Sequence, residues 1–226
     1  LNKQLYDKLN EIEIISKYRI KAQQLYNEKN EVRFFKTHSA NINFKNYPYT
    51  NEKLTKGVIY IVRDPRDIAI SYSEHFKISI EETITKLQKE DNIMLTSNKS
   101  RYITILSRWD YHIASWEKIN VPKLFIRYED LIEKPIQTTI QIILFIKNNL
   151  KVDSYFSDKK ILNSLSNTSF SILKEKEIKN GFSEAMKGTK FFRNGKSNQW
   201  KKILQSNNQK LIEKEFYTTM KKYNYL

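Results

Sequence analysis

The stretch from Val58 to Ser71 constrains this chain more than any other. Val58-Ile59-Tyr60-Ile61-Val62 is an uncharged run of β-branched and aromatic residues, the pattern of a strand buried on both faces. The run changes abruptly into Arg63-Asp64-Pro65-Arg66-Asp67. Pro65 has no amide to donate and keeps Asp64 out of the helical region, yet its fixed φ suits a first helical turn. Ile68, Ile70 and Tyr72 then continue as helix. A buried strand therefore feeds a turn and a helix, with an arginine at the strand's carboxyl end, where open α/β sheets bind ligands. Arg63 at the tip and Ser71 two turns into the helix can reach one anion, the arginine as a planar fork of donors and the serine as a short hydroxyl. The same residues also allow a plainer arrangement, in which Arg63 pairs with Asp67 and Ser71 is only a small helix residue.

A second polar tip lies earlier in the chain. Val32-Arg33-Phe34-Phe35-Lys36-Thr37-His38 reads as another buried strand, ending in a lysine and a histidine. A neutral imidazole there can take a proton from an acceptor hydroxyl, and an ammonium can stabilise developing negative charge. His75 and His112 carry no such context and read as structural.

The segment Tyr60 to Tyr72 resembles the 3′-phosphate-binding segment of sulfotransferases that use 3′-phosphoadenylyl sulfate (PAPS) as donor. That resemblance implies that Arg63 and Ser71 hold the donor's 3′-phosphate. Further segments are similar to the family in the same chain order. Lys36-Thr37-His38 matches its Lys-Thr-His, which implies His38 as catalytic base with Lys36 in support. Tyr128-Glu129-Asp130 and Thr168-Ser169-Phe170 resemble its adenine-contacting segments, which implies Tyr128, Thr168 and Phe170 around the base; an aromatic ring can stack there and hydroxyls can bond its edge. Phe192-Arg193-Asn194-Gly195 followed by Trp200-Lys201 resembles the Arg-Lys-Gly…Gly-Asp-Trp segment that closes over the 3′-phosphate. Arg193 and Gly195 carry over to donor binding, and Asn194 stands where the family has lysine. Asn198 and Gln199 replace the glycine and aspartate before Trp200.

Around these motifs the chain reads as follows. Leu1 to Asn30 is helix, and Asn41 to Lys56 is a loop leading into the central strand. Ser79 with Glu82 forms a capping box. Asp91 to Ser100 is a polar, mobile-looking stretch, and Tyr102 to Lys118 is helix with its aromatics in the core. Val121 to Leu131 is a third strand, Pro135 opens a helix through about Ile146, and the tail to Leu226 is a charged amphipathic helix. Three of the four glycines, Gly181, Gly188 and Gly195, fall between 181 and 200, where positive φ and close backbone approach suit a loop wrapping an anion.

Composition closes off other classes. There is no cysteine, which removes disulfides, thiolate catalysis and Cys-ligated metals. The longest apolar runs, such as Ile142 to Ile146, fall far short of the ~20 residues a membrane helix needs. Leu1 to Glu13 alternates charged and apolar residues, unlike a secretory signal. These features fit a cytoplasmic protein with no membrane partner. The net charge of +15 rests on dispersed lysines that accompany abundant Asn, Ile and Tyr, and no nucleic-acid motif goes with it. Eight arginines are present, and three of them, Arg63, Arg66 and Arg193, fall inside the candidate anion-binding segments.

The expectation is a single domain over 1–226. Its fold class is α/β, three-layer α/β/α with a mainly parallel sheet, P-loop nucleoside triphosphate hydrolase-like and N-terminally incomplete. No glycine precedes Gly57, so the family's first strand and 5′-phosphosulfate loop are expected to be absent from this sequence. The implied activity is PAPS-dependent transfer of a sulfuryl group to a hydroxyl or amine of a small-molecule or glycan acceptor, without metal or nucleic acid. The alternative is a non-catalytic module that binds adenosine 3′,5′-bisphosphate and has lost turnover with its 5′ loop.

Overall fold

The structure is a computed structural model that describes residues 3–28, 32–44, 46–95, 103–152, 157–185 and 188–226. Its elements run α1 (Lys3–Asn27), β1 (Asn43–Phe44), β2 (Tyr47–Pro48), β3 (Val58–Val62), α2 (Pro65–Phe76), α3 (Ile80–Leu87), β4 (Ile93–Leu95), β5 (Ile103–Ile105), α4 (Trp109–Glu117), β6 (Lys123–Arg127), α5 (Tyr128–Glu133), α6 (Pro135–Asn148), α7 (Asp158–Asn167), α8 (Phe170–Asn180), α9 (Trp200–Ile203), α10 (Ser206–Glu215) and α11 (Tyr217–Lys222). β3 and β6 neighbour each other across a crossover as a parallel pair. β1–β2 and β4–β5 are antiparallel pairs. Among the described residues, the mainly parallel sheet expected from the sequence is represented by the one pair β3–β6.

The chain divides into two compact units, Leu1–Val58 with Lys89–Lys123 and Ile59–Gln88 with Leu124–Leu226. In the first, the core gathers Ile12 of α1, Ala40, and Trp109, Ile113 and Trp116 of α4. Polar contacts fasten α1 to the segment after β2: Gln23 donates to the Tyr49 carbonyl at 3.0 Å, and Thr50 donates to Gln23 at 2.6 Å. The Arg19 guanidinium lies over the Tyr49 ring, and burial there lowers its pKa. In the second unit, Val62, Ala69, Ile70, Ile84, Ile126, Ile212, Phe216 and Met220 form the core that seats α2 on β3 and α10. Tyr60 and Phe125 stack across the β3–β6 pair with centroids 5.1 Å apart.

The strand–turn–helix around Pro65 forms as its residues dictate. Asp64 caps α2 by accepting from the Arg66 amide at 2.9 Å, with Pro65 in the first turn. Ser79 caps α3 by accepting from the Glu82 amide.

Local expectations are corrected in four stretches. Val32–His38 is exposed and carries no strand, with Phe34 and Phe35 65% and 67% accessible. Apolar, β-branched composition favours a strand, but a strand exists only through a hydrogen-bonded ladder, and no described strand pairs with this segment. Ile103–Ile105, expected to open a helix, is instead β5, and the helix begins at Trp109. Its partner β4 occupies part of the stretch expected to be a mobile loop, of which residues 96–100 lie outside the described residues. The expected loop at 41–56 contains the short β1–β2 hairpin.

Candidate functional site

The second unit builds its site from the β3 tip outward. The carboxylate of Asp64 accepts from Arg66 Nε and Nη2 at 3.0 and 2.7 Å. The same guanidinium donates to Glu213 of α10 and, at 2.7 Å, to the Tyr225 carbonyl. It also stacks over the Trp200 ring at 3.6 Å. The Tyr225 hydroxyl is shared between Glu129 Oε2 at 2.9 Å and the Val62 carbonyl at 3.1 Å. Glu129 Oε1 accepts from the Asp64 amide at 3.4 Å. Burial raises the Glu129 pKa, and burial beside Glu129 raises that of Tyr225. Arg66, grouped by sequence with the anion binders, is thus committed to protein carboxylates. It is a strut for the turn.

Arg63 is deployed differently. Its guanidinium lies 4.5 Å over the Tyr128 ring, and its buried Nε makes no hydrogen bond within the described structure. With Ile68, Ser71, Tyr72, His75 and Phe76 it lines a cavity of about 180 Å³. The cavity lining thus brings together a guanidinium and a serine hydroxyl, donors that suit an anionic oxygen. Burial also raises the Tyr72 pKa and lowers that of His75. The proposed Arg63, Ser71 and Tyr128 positions therefore converge.

Asp67, 1% exposed, is not spent on an arginine ion pair. Its two oxygens accept from the backbone amides of Asn198 and Trp200 at 2.8 and 3.0 Å. Burial raises its pKa, while these amides and the charge of Arg63 pull the other way. Asn198 sits at φ 58°, and asparagine tolerates this left-handed geometry better than most residues that carry a Cβ. Farther along the loop, Asn194 donates to Gln199 Oε1 at 2.7 Å, and Arg193 Nη2 lies 3.3 Å from the same oxygen. Two of the three departures from the family pattern, Asn194 and Gln199, thus bond to each other. Arg193 also pairs with Glu74 of α2. Gly195, at φ 60°, packs so closely on Phe170 that an added Cβ would overlap the ring. Phe170 in turn meets Phe192 edge-on, and Glu177 accepts the amides of Phe191 and Phe192 at 2.6 and 2.9 Å. Thr168 ends α7, and its hydroxyl donates to the Ser164 carbonyl at 2.7 Å.

In the first unit, the segment bearing Lys36 and His38 is held by its backbone. Thr37 Oγ1 bonds the Tyr49 hydroxyl at 2.5 Å and accepts from the Ser39 amide at 3.0 Å. The His38 carbonyl is bonded to His112 Nε2 at 3.2 Å, and the Ser39 carbonyl accepts from Trp116 Nε1 at 3.0 Å. The Ala40 and Asn41 amides donate to the Ile105 carbonyl and to Ser115 Oγ, at 2.8 and 2.9 Å. Burial lowers the His112 pKa. His112, read from sequence as a core residue, is an anchor for the backbone of His38. Asp67, Glu74, Glu129 and Tyr225 also escaped the sequence reading as site residues; an acidic residue in a first helical turn was the one local signal, at Asp67.

The described helices contain none long and apolar enough to cross a membrane. Sulfotransferase 1B1 of Canis lupus familiaris is 28% identical over 153 residues, covering 64% of this chain and 48% of its own length. Luciferin sulfotransferase of Photinus pyralis is 26% identical over 153 residues, covering 66% of this chain and 37% of its own length. The chain thus spans about half or less of the curated relatives it matches. Among solved structures, mouse sulfotransferase SULT7A1 complexed with PAP has a TM-score of 0.57 at 21% identity, covering 79% of this chain and 63% of that one. Retinol dehydratase in complex with androsterone and inactive cofactor PAP has a TM-score of 0.53 at 20% identity, covering 72% of this chain and 47% of that one. Likeness at this level shows a shared fold. The sulfotransferase domain profile matches residues 1–224, nearly the whole of the sequence, and on that match the chain belongs to the sulfotransferase domain family.

Proposed function

We propose that this chain is the donor-binding and catalytic part of a PAPS-dependent sulfotransferase of the EC 2.8.2 type, acting in the cytoplasm on a hydroxyl or amine of a small-molecule or glycan acceptor. The observation that carries the reading is the cavity shared by Arg63 and Ser71, with the Arg63 Nε donor buried and unbonded. That two structures of the same fold are complexes with PAP supports the same ligand here.

Arg63 and Ser71 bind the 3′-phosphate through a charged fork and a hydroxyl. Arg193, Asn194 and the Gly195 backbone cover it, and Tyr128, Thr168 and Phe170 hold the adenine. His38 accepts the acceptor hydroxyl proton on a ring nitrogen, and the Lys36 ammonium lies ready for developing negative charge. The donor supplies an activated sulfuryl group, whose bond to the departing adenosine 3′,5′-bisphosphate breaks as the acceptor oxygen bonds to sulfur. Positioning and electrostatics carry such a transfer, as they do in phosphoryl transfer, so no metal is assigned a role. A strand and a 5′-phosphosulfate loop from sequence beyond these 226 residues complete the proposed three-layer domain.

The second reading is a binding module that holds adenosine 3′,5′-bisphosphate without turnover. Titration calorimetry on the full-length protein tests the shared part. Adenosine 3′,5′-bisphosphate should bind in preference to 5′-AMP, and Arg63→Ala should weaken the bisphosphate about 30-fold or more. Equal affinity for the two nucleotides would sink both readings. Turnover of PAPS that His38→Ala abolishes while bisphosphate affinity stays intact selects the enzyme.

A further inference from the structure

Asp67, Ser71 and Glu74 stand at i, i+4 and i+7 on α2 and so share one face of the helix. The loop 193–200 is tied to that face at both ends. Its far end is held by the Asp67 carboxylate through the Asn198 and Trp200 amides, and its near end by the ion pair of Arg193 with Glu74. Residues 194–197 therefore bridge the level of the helix at which Ser71 stands.

The two ties differ in kind. The Asp67 tie joins a buried carboxylate to backbone amides, which have nowhere else to go. The Glu74 tie joins two side chains, with Arg193 37% and Glu74 40% exposed, and such pairs are weak and exchangeable. Its guanidinium is also the group best shaped to receive a second fork of phosphate oxygens. We propose that Glu74 is the resting counter-ion of Arg193. An anion seated on Arg63 and Ser71 takes Arg193 away from Glu74, while Asp67 keeps the loop hinged on α2. The carboxylate then sets the affinity of the site, because every incoming phosphate must break the pair and sit near a like charge. This rests on reading the Arg63–Ser71 cavity as the 3′-phosphate site, and it adds a residue that tunes selectivity for that phosphate.

The test uses the full-length protein and its Glu74→Gln, Arg193→Ala, double and Arg63→Ala variants, titrated with adenosine 3′,5′-bisphosphate and with 5′-AMP. Glu74→Gln should tighten the bisphosphate about twofold to fivefold and leave 5′-AMP unchanged. In the Arg193→Ala background the same substitution should give a clearly smaller gain. If the wild type prefers the bisphosphate, Arg63→Ala removes that preference and Glu74→Gln leaves or weakens the affinity, the counter-ion role is overturned while the donor site stands. Equal weakening of both nucleotides by Glu74→Gln, with a lowered melting temperature, shows a merely structural residue and also overturns it. If the wild type shows no preference and Arg63→Ala changes nothing, the donor site falls and the counter-ion role falls with it.

Discussion

The two stretches that carry the candidate chemistry are held in opposite ways. Around Arg63 the support comes from charged side chains driven into the interior: Asp64, Arg66, Asp67 and Glu129 are 3%, 4%, 1% and 7% exposed. Around His38 the support is backbone, through the carbonyls and amides of residues 38–41 bonded to β5 and α4. The residues just ahead, Phe34 and Phe35, face outward. A buried polar network closes on itself inside one unit, because Arg66 and these three carboxylates find hydrogen-bond partners there. A strand-like segment does not, because a strand is completed only by a neighbouring strand, and no described strand pairs with Val32–His38. Substitutions in the two stretches should therefore differ sharply in cost.

Arg66→Ala should have the largest effect. It strips Asp64 and Glu213 of their partner and uncovers Trp200, at a cost of about 3–5 kcal/mol. Urea denaturation of wild type and variant reads this directly. Arg66→Lys should recover only part, since one ammonium cannot bridge two carboxylates and the Tyr225 carbonyl while lying flat on an indole. Full recovery by lysine would show that charge alone matters here, against the geometry of the fork.

Gly195→Ala comes next, because it combines a positive φ with a Cβ driven into the Phe170 ring. Overpacking of this sort costs about 1–3 kcal/mol, and the loop that bears Arg193 should move off α8. Bisphosphate affinity should fall, and Phe170→Ala added to it should return part of the lost stability. A double variant no more stable than Gly195→Ala would place the strain in the backbone and not in the ring contact.

How legible all this was in the sequence depends on the range of the interactions. Asp64 and Pro65 write a strand end and a helix start within three residues, and Ser79 writes a cap, so these were readable. The convergence of Arg63, Ser71 and Tyr128 followed from a family pattern and a strand crossover. The role of Arg66 was not readable. Its partners Glu213 and Tyr225 lie 147 and 159 residues away, and nothing local distinguishes an arginine that binds anions from one that braces a turn. Val32–His38 failed for the same reason in reverse. Its composition says strand, but pairing is decided elsewhere in the chain. Ile103–Ile105 reads as helix from sequence because a short apolar stretch running into an amphipathic one fits either period.

Glu129 offers a smaller effect with a defined sign. Burial raises its pKa above the ordinary value of 4.5. Its protonated form therefore contributes stability that is fully present below about pH 4.5 and is lost as pH rises through the raised value. Glutamine can keep an oxygen for the Asp64 amide and an amide group for the Tyr225 hydroxyl without ever ionising. The melting temperature of Glu129→Gln minus that of wild type should therefore grow as pH is raised from 4.5 towards 7. Asp130, whose pKa is lowered chiefly by its hydrogen bond to Arg127, loses its contribution as pH falls, but equally in both proteins, so it cancels in the difference. A difference constant across that window would mean that Glu129 carries no pH-dependent cost, and the cradle would owe less to buried charge than its accessibilities suggest.

The smallest effect should lie in the other stretch. Phe34 is 65% exposed, so Phe34→Ser in the 226-residue chain should change stability by no more than about 0.5 kcal/mol. The same substitution in a longer protein, where the proposed additional strand covers Val32–His38, should cost about 3 kcal/mol, the scale of removing a buried phenylalanine. Paired denaturation curves for the two lengths give that contrast. A large cost only in the longer protein means that the Lys36–His38 tip is completed by a strand from outside these residues, while the Arg63 cradle is completed from within. Small costs at both lengths would remove the covering strand from the proposal and leave His38 on a segment fixed by its bonds to Tyr49, Ile105, His112, Ser115 and Trp116.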